Sequence, residues 1–248
     1  MTYTMTVSPD FSPDYIAGWY IFNTWLQKKT GDGIHLELYD SFDLQRKDII
    51  DDKIDIIFAN PYEAAMLIRE KGFLAIAAPA DKPDEAVICV KDDSDIQSVE
   101  DLKENCTIAM ADDPQVNSVG MIMLEPADLS VKNITIEKQK NYVLVAKNLI
   151  NESADAGFFL LDAYDDMSKF VKSQIRPIIT SQISVIRHIF LVGPKLSNKA
   201  EDIRGLLNDM HNEDKGLKIL QSLGFESWEN QTQEDSEFML DLIDTLSG

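Results

Sequence analysis

The side chains able to carry covalent or metal chemistry are few and scattered. The chain of 248 residues holds three histidines, His35, His188 and His211, and two cysteines, Cys89 and Cys106. His35 and His188 sit in strand-like runs, and His211 follows a helical pattern in an acidic stretch. None stands at ligand spacing from another His or Cys, so no zinc or transition-metal site is expected. Cys89 and Cys106 lie in the apolar runs AVICV and NCTIAM, where cysteine behaves as a small buried hydrophobe, and two cysteines make no disulfide framework. The sequence contains no G-x-S-x-G elbow, no Walker loop and no G-x-G-x-x-G. Acidic pairs are what it offers instead: Asp51-Asp52, Asp92-Asp93, Asp112-Asp113 and Asp165-Asp166. Neighbouring carboxylates in charged loops read as solvated turns. Asp112-Asp113 stands apart because a strand hands over to a helix there. No catalytic residue and no cofactor is indicated, and nothing in these residues marks an enzyme.

The elements that must position any site alternate between short apolar strands and amphipathic helices, which argues for an α/β fold with mainly parallel sheets. Tyr3–Val7 reads as the first strand. Ser12 can cap the helix that follows, with Pro13 and Asp14 in its first turn. Tyr15, Trp19, Phe22 and Leu26 recur at helical spacing, and Gly31 and Gly33 end that helix before the strand IHLEL. A polar helix over Asp43–Asp51 leads to IDIIFA, a strand apolar enough for burial on both faces. Asn60-Pro61 opens a further helix, and FLAIAAP is the next strand. ADKPDE, residues 80–85, is charged and turn-forming and reads as a crossing between two lobes. Beyond it come the strand Ala86–Val90, a short helix in SVEDLKEN with Ser98 and Asp101 as a capping pair, and the strand CTIAMA. DDPQVNS reads as a loop leading into a helix from about Ser118. ITIE, a helix around Val143–Ile150, AGFFLL, RPIIT and HIFLVG follow, with a helical tail from Lys199. The expected division is residues 1–83 with 196–248 as one lobe and 84–195 as the other, enclosing a ligand cleft and closing by hinge motion.

Composition narrows the partners. Lys and Arg number 23 and Asp and Glu 43, a formal net charge of −20. That excess repels phosphate backbones and anionic bilayers, so neither nucleic acid nor a membrane surface is an expected partner. No stretch approaches the roughly 18 apolar residues of a membrane span. The N-terminus MTYTMTVSPD lacks a basic region followed by an apolar run, so no signal peptide is visible. The last 23 residues hold seven acids and no Lys or Arg, which reads as a solvated helix face or, in an interaction-module reading, a dock for a basic partner.

Three segments together resemble the phosphonate/phosphite/phosphate-binding proteins of ABC transporters. DDKIDIIFANPYEAAML, residues 51–67, is similar to that family's Asp-containing turn, apolar strand and Pro/aromatic helix start. CVKDDSDIQSVEDLKENCTIAMADDPQVNSVG, residues 89–120, resembles its hinge strand, S-x-x-DLK helix, strand and Asp-Pro-led oxyanion loop. NLINESADAGFF and the later GLKILQSLGFESW resemble its second-lobe strand and C-terminal helices. The resemblance implies a two-lobed type 2 periplasmic-binding-protein-like fold and a monomeric, extracytoplasmic solute receptor that works with transporter membrane subunits, or a sensor domain derived from such a receptor. It implies no covalent change to the ligand, which is held by hydrogen bonds and by helix N-termini suited to oxyanions.

By the same resemblance, Tyr62 is the first-lobe aromatic beside the ligand, and Ser8 and Asp10 face it from the loop after the first strand. Asn117 and Ser118 match hydroxyl-rich positions at the second-lobe helix start. Tyr142 stands where many members carry His, and Asp162 where members place an acid. The loop departs from the family: Val116 takes a hydroxyl position, Gly120 comes one residue late, and Asp112 and Asp113 sit where a dianion would be disfavoured. A zwitterionic or less charged organic ligand is therefore an open alternative, and Tyr62 and Tyr142 would also suit a cation. The other functional alternative is a cytoplasmic enzyme on the same fold, as in menaquinone or thiamine-pyrimidine biosynthesis, although the His- or Cys-rich chemistry of the pyrimidine synthases is absent.

Overall fold

The computed structural model describes residues 2–11 and 13–247, with side chains to residue 245. Ser12, expected to cap the first helix, lies outside the described residues. The chain divides into two units, 1–83 with 186–242 and 84–185 with 243–248.

In the first unit, β1 (Thr2–Val7) alternates so that Tyr3, Met5 and Val7 face the core. A single 3-10 turn over Pro13–Tyr15 leads into α1 (Ile16–Thr30), which ends at Gly31, whose φ of 73° supplies the left-handed cap. Then come β2 (Gly33–Glu37), α2 (Phe42–Ile50), β3 (Ile56–Ala59), α3 (Pro61–Arg69) and β4 (Leu74–Pro79). Trp19, Phe22 and Leu26 of α1 pack on the sheet. Phe22 is the hub, with ring centroids of Trp19, Trp25, Phe190 and Trp228 at 5.6 to 6.0 Å. His35 points out of β2 and meets Glu37 at 3.0 Å on the surface.

The second unit runs β5 (Ala86–Lys91), β6 (Thr107–Ala111), α4 (Pro114–Met123), β7 (Thr135–Gln139), α5 (Tyr142–Ile150), β8 (Ala156–Leu160), α6 (Leu161–Asp165), α7 (Lys169–Lys172) and β9 (Ile175–Thr180). Its sheet has the order β7-β6-β8-β5-β9, with β6 parallel to β7 and β8, and β5 antiparallel to β8 and β9. SVEDLKEN forms only one 3-10 turn, Val99–Asp101, because the chain turns extended at Leu102; the Ser98/Asp101 capping box is present. Both cysteines are buried and free, and burial pushes the thiols of Cys89 and Cys106 up from their ordinary value.

The chain re-enters the first unit at Ile186 rather than near residue 196. HIFLVG, read as a second-lobe strand, is β10 (Ile189–Val192), and it fills the slot between β3 and β4, antiparallel to both. α8 (Ala200–Asn208), α9 (Asp214–Gln221), β11 (Trp228–Asn230) and α10 (Gln233–Ser247) complete the chain. The six-stranded sheet has the order β11-β4-β10-β3-β1-β2. On the acidic α10, Glu237 and Asp241 pair with Arg69 of α3 at 3.1 and 2.7 Å.

α4 starts at Pro114, four residues before the expected Ser118. Asp113 is its N-cap and Pro114 its first helical residue, an arrangement in which the missing proline N–H costs nothing.

Candidate ligand-binding site

In open α/β sheets, ligands bind beyond the carboxyl ends of the parallel strands. In the first unit these are the ends of β1 and β3. The Ser8 N–H donates to Phe58 O at 2.8 Å, so Ser8 continues the β1 ladder and is fully buried. Two residues on, the buried Asp10 carboxylate lies 3.1 Å from His188 Nε2 and accepts from Asn60 Nδ2 at 3.5 Å. Burial alone would raise the Asp10 pKa; the charge and hydrogen bond of His188, with Ser8 and the local backbone, outweigh it and hold Asp10 below the ordinary aspartate value. The His188 ring stacks on Phe58, 5.1 Å between centroids and 26° between planes.

Beside this cluster, Asn60 Oδ1 accepts from Glu63 N at 2.9 Å and caps α3. Tyr62, in the first turn, is 46% exposed. The Arg46 guanidinium of α2 sits 5.4 Å from the Tyr62 ring centroid and pairs with the buried Glu63 carboxylate. Gln45, also buried, donates through Nε2 to Thr6 Oγ1 at 3.0 Å and Val7 O at 2.8 Å, which fixes α2 against the end of β1.

In the second unit the corresponding ends are those of β6, β7 and β8. Asp112 is exposed, whereas Asp113 is only 3% exposed. Asp113 Oδ1 accepts from Val116 N at 3.1 Å, and Oδ2 accepts from the Tyr142 hydroxyl at 2.6 Å. Asn141 caps α5 by accepting from Leu144 N at 3.0 Å, so it places Tyr142 at the first position of that helix. The Tyr142 ring packs against Phe159, with centroids 6.0 Å apart. Asp162 is half-buried in the first turn of α6.

Ser8 and Asp10 thus share one cluster, and Tyr62 lies on the neighbouring helix start. Tyr142 meets Asp113 rather than Asn117 or Ser118. Those two residues are not at the helix start: they lie a turn inside α4, where Asn117 Nδ2 donates to Ala111 O and Ser118 Oγ to Pro114 O, each at 2.9 Å. The reason is the earlier helix start: Ser118 bonds back to the first turn of α4, and Asn117 reaches the end of β6. Gly120 is likewise no loop end. It lets α4 close on β8, where a Cβ would come within 2.3 Å of the Phe158 ring. His188, Arg46 and Glu63 were not singled out from sequence, because their partners lie 178 and 17 residues away. The caps Asn60 and Asp113, each followed by Pro, carry a local signal.

Two α/β units, each with polar residues at the ends of its parallel strands, and a chain that passes from one to the other and back are the architecture of the solute-binding receptor class. A family model described as ABC transporter, phosphonate, periplasmic substrate-binding protein matches residues 5–236, and the chain belongs to that family. Its fold is similar to PhnD1 of Prochlorococcus marinus in complex with methylphosphonate, at a TM-score of 0.85 and 11% identity over 99% of this chain and 98% of that one. A binding protein component of an ABC phosphonate transporter from Pseudomonas aeruginosa aligns at 0.79, with 14% identity over 100% of this chain and 89% of that one. The periplasmic aliphatic sulphonate binding protein SsuA of Escherichia coli aligns at 0.69, with 12% identity over 98% and 87%. At these identities the likeness establishes the type 2 periplasmic binding protein fold. None of the curated proteins matches the sequence. The family is one of transport receptors that bind a small molecule, not the biosynthetic enzymes of the alternative reading. Among the described residues no helix is long and apolar enough to cross a membrane.

Proposed function

We propose that this chain is the extracytoplasmic solute-binding component of an ABC importer for a small organic oxyanion of the phosphonate–sulfonate class. The observation that carries the reading is the family match over residues 5–236. Relatives of the same fold hold methylphosphonate or are named for aliphatic sulphonates, which supports the ligand class. In this reading Ser8, Asp10 and Tyr62 serve the ligand from the first unit, and Asn117, Ser118, Tyr142 and Asp162 from the second. The second set has a distinct chemistry. Asn117, Ser118 and Tyr142 each spend a donor within the unit, and Asp113 fills the start of α4 with a carboxylate. With Asp113 at its centre and these donors turned inward, that edge is acidic, which suits a ligand that carries an amine or hydroxyl beside its oxyanion. Binding needs no covalent step and no metal.

Calorimetry and thermal melts against methylphosphonate, 2-aminoethylphosphonate, inorganic phosphate, ethanesulfonate and ethylamine test this. A ligand at a hundred times its Kd stabilises the folded state by about 2.7 kcal/mol, a clear rise in Tm. At least one of the four oxyanions should do so, with 2-aminoethylphosphonate above methylphosphonate. Silence with all four, or a response to ethylamine alone, would refute the reading.

A further inference from the structure

An oxyanion needs a donor, and the first unit holds one in a fixed pose. Glu63, the third residue of α3, is 1% exposed. Arg46 Nε donates to Glu63 Oε1 at 3.0 Å and Arg46 Nη2 donates to the same oxygen. Glu63 Oε2 is buried with no hydrogen-bond partner among the described residues. A carboxylate buried with one oxygen unmet is costly, and an apolar residue of similar volume would avoid that cost. Glu63 is not needed as a cap, because Asn60 already satisfies the start of α3. What the pair accomplishes is position. One edge of the guanidinium is drawn to Glu63 and its charge lies over the Tyr62 ring, 5.4 Å from the centroid. The Arg46 side chain keeps 30% of its surface exposed, and Nη1 makes no hydrogen bond among the described residues. A guanidinium held on two sides with an open edge is a preorganised fork for an oxyanion, since little side-chain freedom is left to lose on binding.

We propose that Arg46 binds the anionic group of the ligand, with Glu63 as its positioning residue. The assignment rests on the oxyanion-receptor reading above and deepens it. It also answers how a chain of net charge −20 takes up an anion: one oriented cation acts at contact range, where the remote carboxylates are screened over a Debye length of about 8 Å.

The test is calorimetry on the full chain with methylphosphonate, 2-aminoethylphosphonate, inorganic phosphate and ethanesulfonate, repeated across salt concentrations. The variants are Arg46→Gln with Glu63→Gln together, Arg46→Lys alone and Glu63→Gln alone. The double variant removes both charges and so leaves no buried carboxylate without its cation. For whichever oxyanion the wild type binds, the double variant should lose at least thirtyfold in affinity and flatten the dependence of log K on log salt. Arg46→Lys, which keeps the charge but not the fork, should lose about tenfold. Glu63→Gln should weaken binding while keeping the salt slope. A merely structural pair would change Tm and leave that slope alone. Binding by the folded double variant within threefold of wild type, with an unchanged slope, overturns the assignment and leaves the oxyanion reading standing. If the double variant does not fold, Arg46→Lys decides, and affinity within threefold of wild type overturns it. A wild type that binds none of the four oxyanions overturns the reading and the assignment together.

Discussion

The two units place their polar residues at equivalent strand ends and satisfy buried carboxylates in opposite ways. In the first unit Asp10 and Glu63 are met by side chains from distant elements, His188 at the start of β10 and Arg46 of α2. In the second, Asp113 is met by neutral donors, the Val116 amide and the Tyr142 hydroxyl. The first arrangement brings basic side chains to the edge and leaves a guanidinium edge exposed. The second consumes its donors internally and stays acidic. Membership of one family therefore does not require the helix start of the second unit to be open to an anion. A carboxylate at a helix N-terminus gains from the same amides and dipole that would attract a bound oxyanion.

This contrast can be broken most forcefully by packing. Gly120→Ala would drive a Cβ into the Phe158 ring at 2.3 Å, and Phe158 is fully buried. Overpacking of this kind costs about 1–3 kcal/mol, visible as a lower urea midpoint. Gly205→Ala in α8 of the first unit is the control, with nothing within 4 Å of its Cβ. It should be neutral or gain up to about 1 kcal/mol from helix propensity.

Tyr142→Phe comes next. It removes the hydroxyl from Asp113 without touching the cap, and should lower stability at pH 7 by about 1 kcal/mol in the same urea experiment. Asp113→Ala removes the cap as well and should cost about 1 kcal/mol more. Equal losses for the two variants would mean that the phenol carries the whole interaction.

The last effect, read from the slope of an acid limb, belongs to Asp10. Its folded-state pKa lies below the ordinary aspartate value. Its contribution to stability is therefore complete above that ordinary value, about 4, and is lost as pH falls through the lower folded-state pKa. Thermal melts between pH 7 and pH 2.5 should show Asp10→Asn with a shallower acid limb than the wild type. Parallel acid limbs for Asp10→Asn and wild type would show that the His188 pair does not set Asp10's titration.

Much of the fold was legible because its signals are local. Tyr3, Met5 and Val7 alternate as a strand facing a core must, and Trp19, Phe22 and Leu26 repeat as a buried helix face must. Gly31 ended α1 where a left-handed residue was needed. The start of α4 was misplaced because DDPQVNS reads as polar loop, whereas Asp113-Pro114 is itself a helix-opening pair. β10 was assigned to the wrong unit because an apolar strand carries no mark of which sheet will accept it. Of the two caps beside the site, Asn60-Pro61 was legible as a helix opening and Asp113-Pro114 was not. His188 reads like any strand-flanking histidine until the sheet order brings β10 beside β3 and sets it against Asp10.

The sequence by itself determined the elements, their caps and their buried faces, since these depend on residues within about four positions of one another. Tertiary structure alone decided which group meets each buried carboxylate. The partners of Glu63, Asp113 and Asp10 lie 17, 29 and 178 positions away. At such separations the pairing follows from strand order and helix packing, and that pairing leaves one edge with an open guanidinium and the other with a buried carboxylate held by neutral donors.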